Sequence, residues 1–278
     1  MKTGLRERFF TEGIVPDCPI YDLHGHWGRH YQIHLPAADP ATALNLLAKA
    51  NVRRLVFCYH GTLFSPDIGN SINIETVQSM PDLLRAYCGI NPNYPERTEE
   101  DVAAFDRLCP DVYAGFKMLA DYHRIPLTDS RYKSAFMAAD RLKKIVLLHT
   151  WGGSTYNGFN EVKTVAERYP NARILMGHSL HGEWDKAIEL AKEFQNVYLE
   201  LTAVLYVRSI VERFVQEAGS EKVVFGTDFP WFSHYYYIGA LLGAGLGEED
   251  LRNILYRNAQ KLLGEKDDFQ KDQKGVRS

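Results

Sequence analysis

The sequence predicts a single-domain (β/α)8 barrel, and three observations carry that prediction. Eight short apolar runs alternate with segments of helical period along the 278-residue chain, a length that suits a fold of typically about 250 residues. The runs are continuously apolar, as expected of a parallel sheet buried on both faces. The turn after the first run carries histidines. A doubly wound open sheet, the alternative fold, would normally place a glycine-rich phosphate turn there.

The strand candidates are, in order, PIYDLH, RRLVFCY, RAYCGIN, VYAGFKM, KIVLLH, RILMGH, VYLELT and KVVFGTD. Gly28 should end the first. Asp39-Pro40 opens the first helix, a capping side chain followed by proline in the first turn. Thr98-Glu99-Glu100-Asp101 opens a later one, with acids where the helix dipole favours them. Val162, Val165 and Ala166 share one helix face, as do Ile188, Ala191 and the stem of Lys192. The last helix, EEDLRNILYRNAQKLLG, lines up Leu251, Ile254, Leu255 and Leu262, and Gly264 ends it. No linker or composition shift divides the chain. The expected layout is an N-terminal extension over 1–17, the barrel over 18–264 and a polar tail over 265–278.

Hydrophobic residues make up 45% of the chain, enough for a sizeable core, and the formal charge is -3. That charge gives no electrostatic reason to expect nucleic acid or an anionic membrane as a partner. Cys18, Cys58, Cys88 and Cys109 form no CxxC pair and read as buried reduced thiols of a cytoplasmic protein. The N-terminal stretch lacks the apolar run of a signal peptide, and no run reaches the roughly 18 apolar residues of a membrane helix. A homo-oligomer is an expectation common to such enzymes.

The stretch YDLHGHWGRH, residues 21–30, is the most informative. Residues two apart on a strand point the same way, so His24 and His26 should share a face, with Gly25 leaving room between them. Two converging neutral imidazoles are half of a zinc site; the alternative is a polar loop whose histidines bond backbone. In a barrel the active site lies at the C-terminal ends of the strands. Lys117 lies on strand four, and His149, His178 and Asp228 end strands five, six and eight. Each has a bland reading: a hydrogen-bonded histidine, a snorkelling lysine, an aspartate that caps its loop. A barrel gathers all of them around one axial point, and buried together they need a shared ion. His30, His34, His60 and His234 do not stand at comparable strand ends and read as surface or rim residues. His123 and His181 lie just past strand ends, where substrate contacts are often placed.

The motifs DLHGH, GFKML with the following IPLTD, VLLHTWGG, ILMGHSLHG, FGTDFPW and ILYRNAQKLLG resemble the amidohydrolase superfamily, specifically its amidohydrolase-related branch of metal-dependent barrel hydrolases and decarboxylases. The resemblance runs from about residue 18 to about residue 264. It implies that His24, His26 and His149 bind a metal and that Asp228 is a ligand or near-ligand that also accepts a proton. It implies a further ligand or an acid-base role for His178. Some superfamily members carbamylate a strand-four lysine to bridge two metals, so Lys117 implies one ion if free and two if carboxylated. A free ammonium beside a cation is repelled, so an unmodified Lys117 should point away or bind an anionic substrate. Relatives often carry a glycine pair after strand six; this chain has Leu180-His181-Gly182.

The function expected from the resemblance is a metal-dependent hydrolase. A metal-bound water, most simply on zinc, attacks a C–N or C–O bond of a small cyclic or carboxylated substrate. Asp228 moves the proton, while the metal or His178 stabilises the oxyanion. Asp22 fixes a ligand histidine's tautomer or else only bonds backbone. Tyr122, Trp151 and Trp231 either wall in a flat substrate or simply cover the barrel mouth. His181 is a further candidate contact, and Arg124 or His123 offers charge to a carboxylate. The same ligands would serve a decarboxylase or hydratase. A non-catalytic metal-binding barrel would need its coordination closed by protein.

Overall fold

A computed structural model describes residues 4–265. Eight parallel strands lie in the order of the sequence: β1 (Ile20–Trp27), β2 (Val52–Tyr59), β3 (Leu84–Ile90), β4 (Tyr113–Met118), β5 (Ile145–Trp151), β6 (Arg173–His181), β7 (Val197–Glu200) and β8 (Val223–Val224). All eight expected runs form strands. The expected polar tail, apart from Glu265, lies outside the described residues.

Backbone bonds between the first and last strands close the barrel. Leu23 N–H donates to Phe225 O at 3.0 Å, Asp228 N–H to His24 O at 2.7 Å and His26 N–H to Phe229 O at 2.5 Å. β8 is only two residues long, so these bonds run past its end and fix Asp228 against His24. The strands are buried on both faces: the interior takes Tyr87 and the whole of Lys117, and the outer faces meet helices, with Phe116 stacked on Phe105 at 4.1 Å. Val162, Val165 and Ala166 are buried beneath helix Phe159–Arg168. Helix Trp184–Glu193 buries Ile188 and Ala191, but Lys192 is exposed and does not join that face.

Three helices, Pro40–Lys49, Pro66–Ser79 and Pro95–Leu108, begin with proline at their first position. Its missing N–H costs nothing there. The Asp39 carboxylate caps the first, accepting from Thr42 N–H at 2.9 Å. The helix expected to open at Thr98 starts three residues earlier, at Pro95. Thr98 and Asp101 are therefore buried inside it, with Asp101 paired to Arg97 at 2.6 Å. Within the N-terminal extension, Leu5–Glu12 form a helix packed on helix His234–Gly243. Arg6 donates to the carbonyls of Leu242, Ala244 and Leu246, and so caps that helix's C-terminal end. The last helical segment runs from Glu248 to Leu263 through a π-helical turn at Asn253–Arg257 and ends at Gly264 in the left-handed conformation. Among the described residues, no helix is long and apolar enough to cross a membrane.

Candidate metal centre

The histidines of β1 point inward because their strand is held on both sides. His24 and His26 are both buried and converge on Asp228. Gly25, between them, does not serve as a spacer for the imidazoles as expected. A Cβ there would lie 2.5 Å from Leu55 Cδ1, so the missing side chain admits a leucine of β2.

Proton positions follow from the partners. His26 Nδ1 lies 3.1 Å from Cys58 O. A carbonyl can only accept, so Nδ1 carries a hydrogen, and in the neutral form of the ring Nε2 presents a lone pair. That lone pair faces Asp228 Oδ1 at 3.1 Å. His24 Nε2 lies 2.7 Å from Lys117 Nζ. An ammonium can only donate, so this nitrogen too is an acceptor, and Nδ1–H donates to Glu200 Oε2 at 3.0 Å. His24 Nε2 also stands 3.4 Å from Asp228 Oδ1. Three acceptor atoms thus face one another, and Asp228 Oδ1 is buried with no hydrogen-bond partner. Acceptors cannot satisfy one another, and a buried carboxylate oxygen without a donor is costly. A divalent cation bound by two imidazoles and a carboxylate resolves this, so the residues present fit a metal.

Lys117 does not point away from the site. It is buried inside the barrel with its amine on His24 Nε2. Burial lowers its pKa, opposed by the carboxylates of Asp228 and Glu200. Burial, with Lys117 next, also drives the His24 pKa well below the ordinary imidazole value and keeps the ring in its ligand-competent neutral form.

His149 stands outside the group of three. Its Nδ1 faces Asp121 Oδ1 at 3.3 Å and Asn157 Nδ2 at 3.4 Å. Its ring lies edge-on to His178 at 4.6 Å, and His178 in turn lies 5.1 Å from the His24 ring. Burial first, then His149 and His24, hold the His178 imidazole well below its usual pKa. His178 Nδ1 is buried without a partner. His178, Ser179 and Leu180 have φ of 68°, 47° and 50°, three consecutive left-handed residues without a glycine among them. Asp228 is left-handed as well, at 60°. Such residues cost on the order of 1–3 kcal/mol each and persist only where surroundings over-determine them. Here His178 N–H donates to Glu200 Oε2 at 3.0 Å, Ser179 Oγ to Glu200 O at 2.8 Å and Leu180 N–H to Thr150 Oγ1 at 2.9 Å.

Aromatic rings flank the centre on two sides. Trp151 stacks on His181 at 4.1 Å and lies parallel to His149 at 5.9 Å, while Tyr122 meets His149 edge-on at 5.7 Å. Tyr206 extends this wall through a 2.6 Å hydrogen bond to His181 Nε2. Opposite, His60 stacks on His26 at 4.6 Å and 8°. Trp231 Nε1–H donates to His60 Nε2 at 2.9 Å, and His60 Nδ1–H to Gly28 O at 2.9 Å. His60 is therefore a buried backing plate and not a rim residue. Trp231 spends its polar atom on His60.

His234 is also buried rather than on the rim. Its Nε2 lies 2.8 Å from Asp22 Oδ2, which also accepts from Thr227 Oγ1 at 2.5 Å. Asp22 bonds the His24 N–H, not a ligand ring, so of its two expected roles the backbone one is found. His123 has both ring nitrogens engaged, by Leu63 O at 2.6 Å and Tyr132 Oη at 3.3 Å, which leaves neither for a substrate carboxylate. Arg124 is exposed and left-handed at φ 55°.

Glu200, Asp121 and Tyr206 are absent from the residues singled out in the sequence. Glu200 is the last residue of β7 but the fourth of the six in the run VYLELT, so the strand-end criterion that found His149 and Asp228 passed over it. Asp121 lies in the one-turn helix Ala120–His123 and Tyr206 in a turn, and neither carries such a signal.

The match to known proteins agrees with this architecture. The amidohydrolase family model matches residues 75–264, more than half of the chain. The chain belongs to the amidohydrolase family, and the HxH of β1 lies outside the matched stretch. No curated protein matches the sequence. Among solved structures, a 2,6-dihydroxybenzoate decarboxylase from Rhizobium is 12% identical with a TM-score of 0.71, over 89% of this chain and 99% of that one. A dihydroxybenzoic acid decarboxylase from a Polaromonas species, with bound manganese and the inhibitor 2-nitroresorcinol, is 13% identical with a TM-score of 0.68, over 89% and 97%. An uncharacterised TIM-barrel protein from Bordetella bronchiseptica is 17% identical with a TM-score of 0.69, over 82% and 85%. At these identities the likeness shows the fold.

Proposed function

We propose that the chain is a metal-dependent lyase that removes carbon dioxide from a small aromatic carboxylic acid. The observation that carries the metal is the meeting of three acceptors, His24 Nε2, His26 Nε2 and Asp228 Oδ1, with no proton donor among them to satisfy the carboxylate. His149, whose ring meets His178 at 4.6 Å, is the next candidate ligand, and Lys117 joins the set only if carboxylated. The family supports a metal enzyme, and the names of the similar structures favour decarboxylation over the hydrolysis expected from the sequence. One of those structures holds manganese, which makes manganese a candidate beside the zinc expected from the sequence.

The bound cation would supply positive charge to fix substrate oxygens. The chain's own groups do the rest. Exchange of a C–CO2− bond for C–H needs one proton at the carbon that loses carbon dioxide. Asp228 Oδ1 and His178 Nδ1 are buried polar atoms without a partner at the centre, and they are the groups that can hold that proton. Trp151, Tyr122 and His181 offer flat faces for an aromatic ring. Exposed Arg124, two residues past Tyr122, is the candidate cation for an anionic group.

Incubation of the metal-loaded protein with 2,6-dihydroxybenzoate and related hydroxybenzoates should release carbon dioxide. Asp228→Asn should reduce that rate at least ~100-fold, the usual worth of a proton-transfer group. Turnover of amides, esters or lactones without carbon dioxide would favour the hydrolase instead. Metal-free wild-type protein, from a preparation made without chelator, would end both readings.

A further inference from the structure

We propose that Glu200 is a positioning residue that holds His24 in the one tautomer able to bind a metal and braces the left-handed turn carrying His178. The proposal rests on the metal-site reading above. Glu200 ends β7, has no exposed surface and lies behind the ligands, so it cannot itself reach the centre that His24 Nε2 faces. Its two oxygens take four donors: His24 Nδ1 and the His178 N–H at 3.0 Å each on Oε2, and Thr202 N–H at 2.7 Å and Thr202 Oγ1 at 2.6 Å on Oε1.

A carboxylate has acceptor sites on both oxygens and no hydrogen to offer, so His24 must present Nδ1–H to it. The second nitrogen is then bare of hydrogen on the side of Asp228 and His26. A carboxylate on the far nitrogen of a metal-binding histidine is a recurring way to fix both the tautomer and the ring. Here one group does more. The same Oε2 atom anchors the His178 N–H, and the Glu200 carbonyl anchors Ser179. The left-handed run His178-Ser179-Leu180 and the His24 ring are thereby tied to one side chain. The end of β8 is shaped around it: a Cβ at Gly226 would overlap Glu200 Oε1 and lie 2.7 Å from His24 Cβ.

The test compares wild type with Glu200→Gln, which keeps size and shape. A carboxamide must turn its NH2 toward either the Thr202 N–H or the His178 N–H. It therefore no longer enforces a single His24 tautomer. Two readouts apply to the full-length protein. Long-range 1H–15N spectra of the metal-free protein, with His24 assigned by its absence in His24→Gln, read the tautomer directly. Free Mn2+ by electron paramagnetic resonance reads affinity. Wild type should show a single Nδ1–H His24. Glu200→Gln should show Nε2–H or a mixture, and should bind Mn2+ about 10–100-fold more weakly.

A wild-type His24 protonated on Nε2 overturns the proposal. So does a folded Glu200→Gln protein with the wild-type tautomer and Mn2+ affinity within twofold. If Glu200→Gln does not fold, Thr202→Val removes one donor to Glu200 without touching His24. A several-fold loss of Mn2+ affinity there sustains the proposal, and an unchanged tautomer and affinity overturn it. Wild type that binds neither Mn2+ nor Zn2+ defeats the metal reading alone, because the tautomer of the metal-free protein still reports on Glu200.

Discussion

Lys117 and a divalent cation compete for the same lone pair of His24. The amine lies 2.7 Å from Nε2, a position that no ammonium can share with a metal bound there. The two states of this lysine give opposite predictions. If it is unmodified in the metal-bound protein, Lys117→Met removes a competitor and tightens Mn2+ binding about tenfold or more. If it is carboxylated, the same change removes a ligand and weakens binding by a similar factor. Direct titration of Mn2+ distinguishes the two, and mass spectrometry of the intact protein checks for the added carboxyl group. At this scale the sequence was most legible where a titratable residue followed an apolar run. His24, His26, His178 and Asp228 come close together as that pattern implied. It was least legible where a histidine's role depends on a partner far along the chain. His60 and His234 looked peripheral because Trp231 and Asp22, their partners, lie 171 and 212 residues away.

The ends of β6, β7 and β8 form one device. β8 is so short that its C-terminal loop, Gly226 to Asp228, hangs on bonds to β1. Gly226 gives up a side chain so that Glu200 and His24 can pack behind it. Gly226→Ala should therefore disturb the site before it disturbs the barrel. Mn2+ affinity is expected to fall at least tenfold. Near-ultraviolet circular dichroism and cooperative unfolding should persist, with a stability loss of about 1–3 kcal/mol from overpacking. Loss of cooperative folding with full retention of metal in the surviving fraction would contradict this. The strands were readable throughout, since continuous apolar runs mark buried parallel strands, but the helix Leu5–Glu12 was not. Boundaries were less readable. Pro95 outranks the acid-rich Thr98–Asp101 as a helix start because a ring with fixed φ and no N–H fits the first turn without loss. The left-handed run at His178–Leu180 had no local signal, because long-range hydrogen bonds to Glu200 and Thr150 hold it in place of glycine.

For the molecule as a whole, buried neutral histidines couple stability to acid. Burial, followed by the neighbouring His26, lowers the His60 pKa from 6.5 to about 3. The unfolded chain then binds this proton and the folded chain does not, between those two values. The contribution is complete above pH 6.5 and is lost progressively as pH falls toward about 3, with a slope near 1.4 kcal/mol per pH unit for one proton. Thermal melts of the metal-free protein should show Tm falling from pH 6.5 downward. His60→Gln should make that fall shallower. A Tm independent of pH over this window, or steeper in the variant, would show that His60 is not held neutral. The Arg6 clasp on the carbonyls of Leu242 and Leu246 shows a second whole-chain effect: residues near one end of the sequence secure a helix near the other.

The sequence by itself determined the barrel, its eight strands and the ends at which the chemistry gathers, because burial pattern and strand-end position are local properties. Only the tertiary structure decided which nitrogen of His24 and of His26 carries its proton, that Lys117 points inward and that Glu200 stands behind the ligands. Those facts depend on which donor meets which acceptor across strands far apart in the chain, and no window of sequence contains both partners.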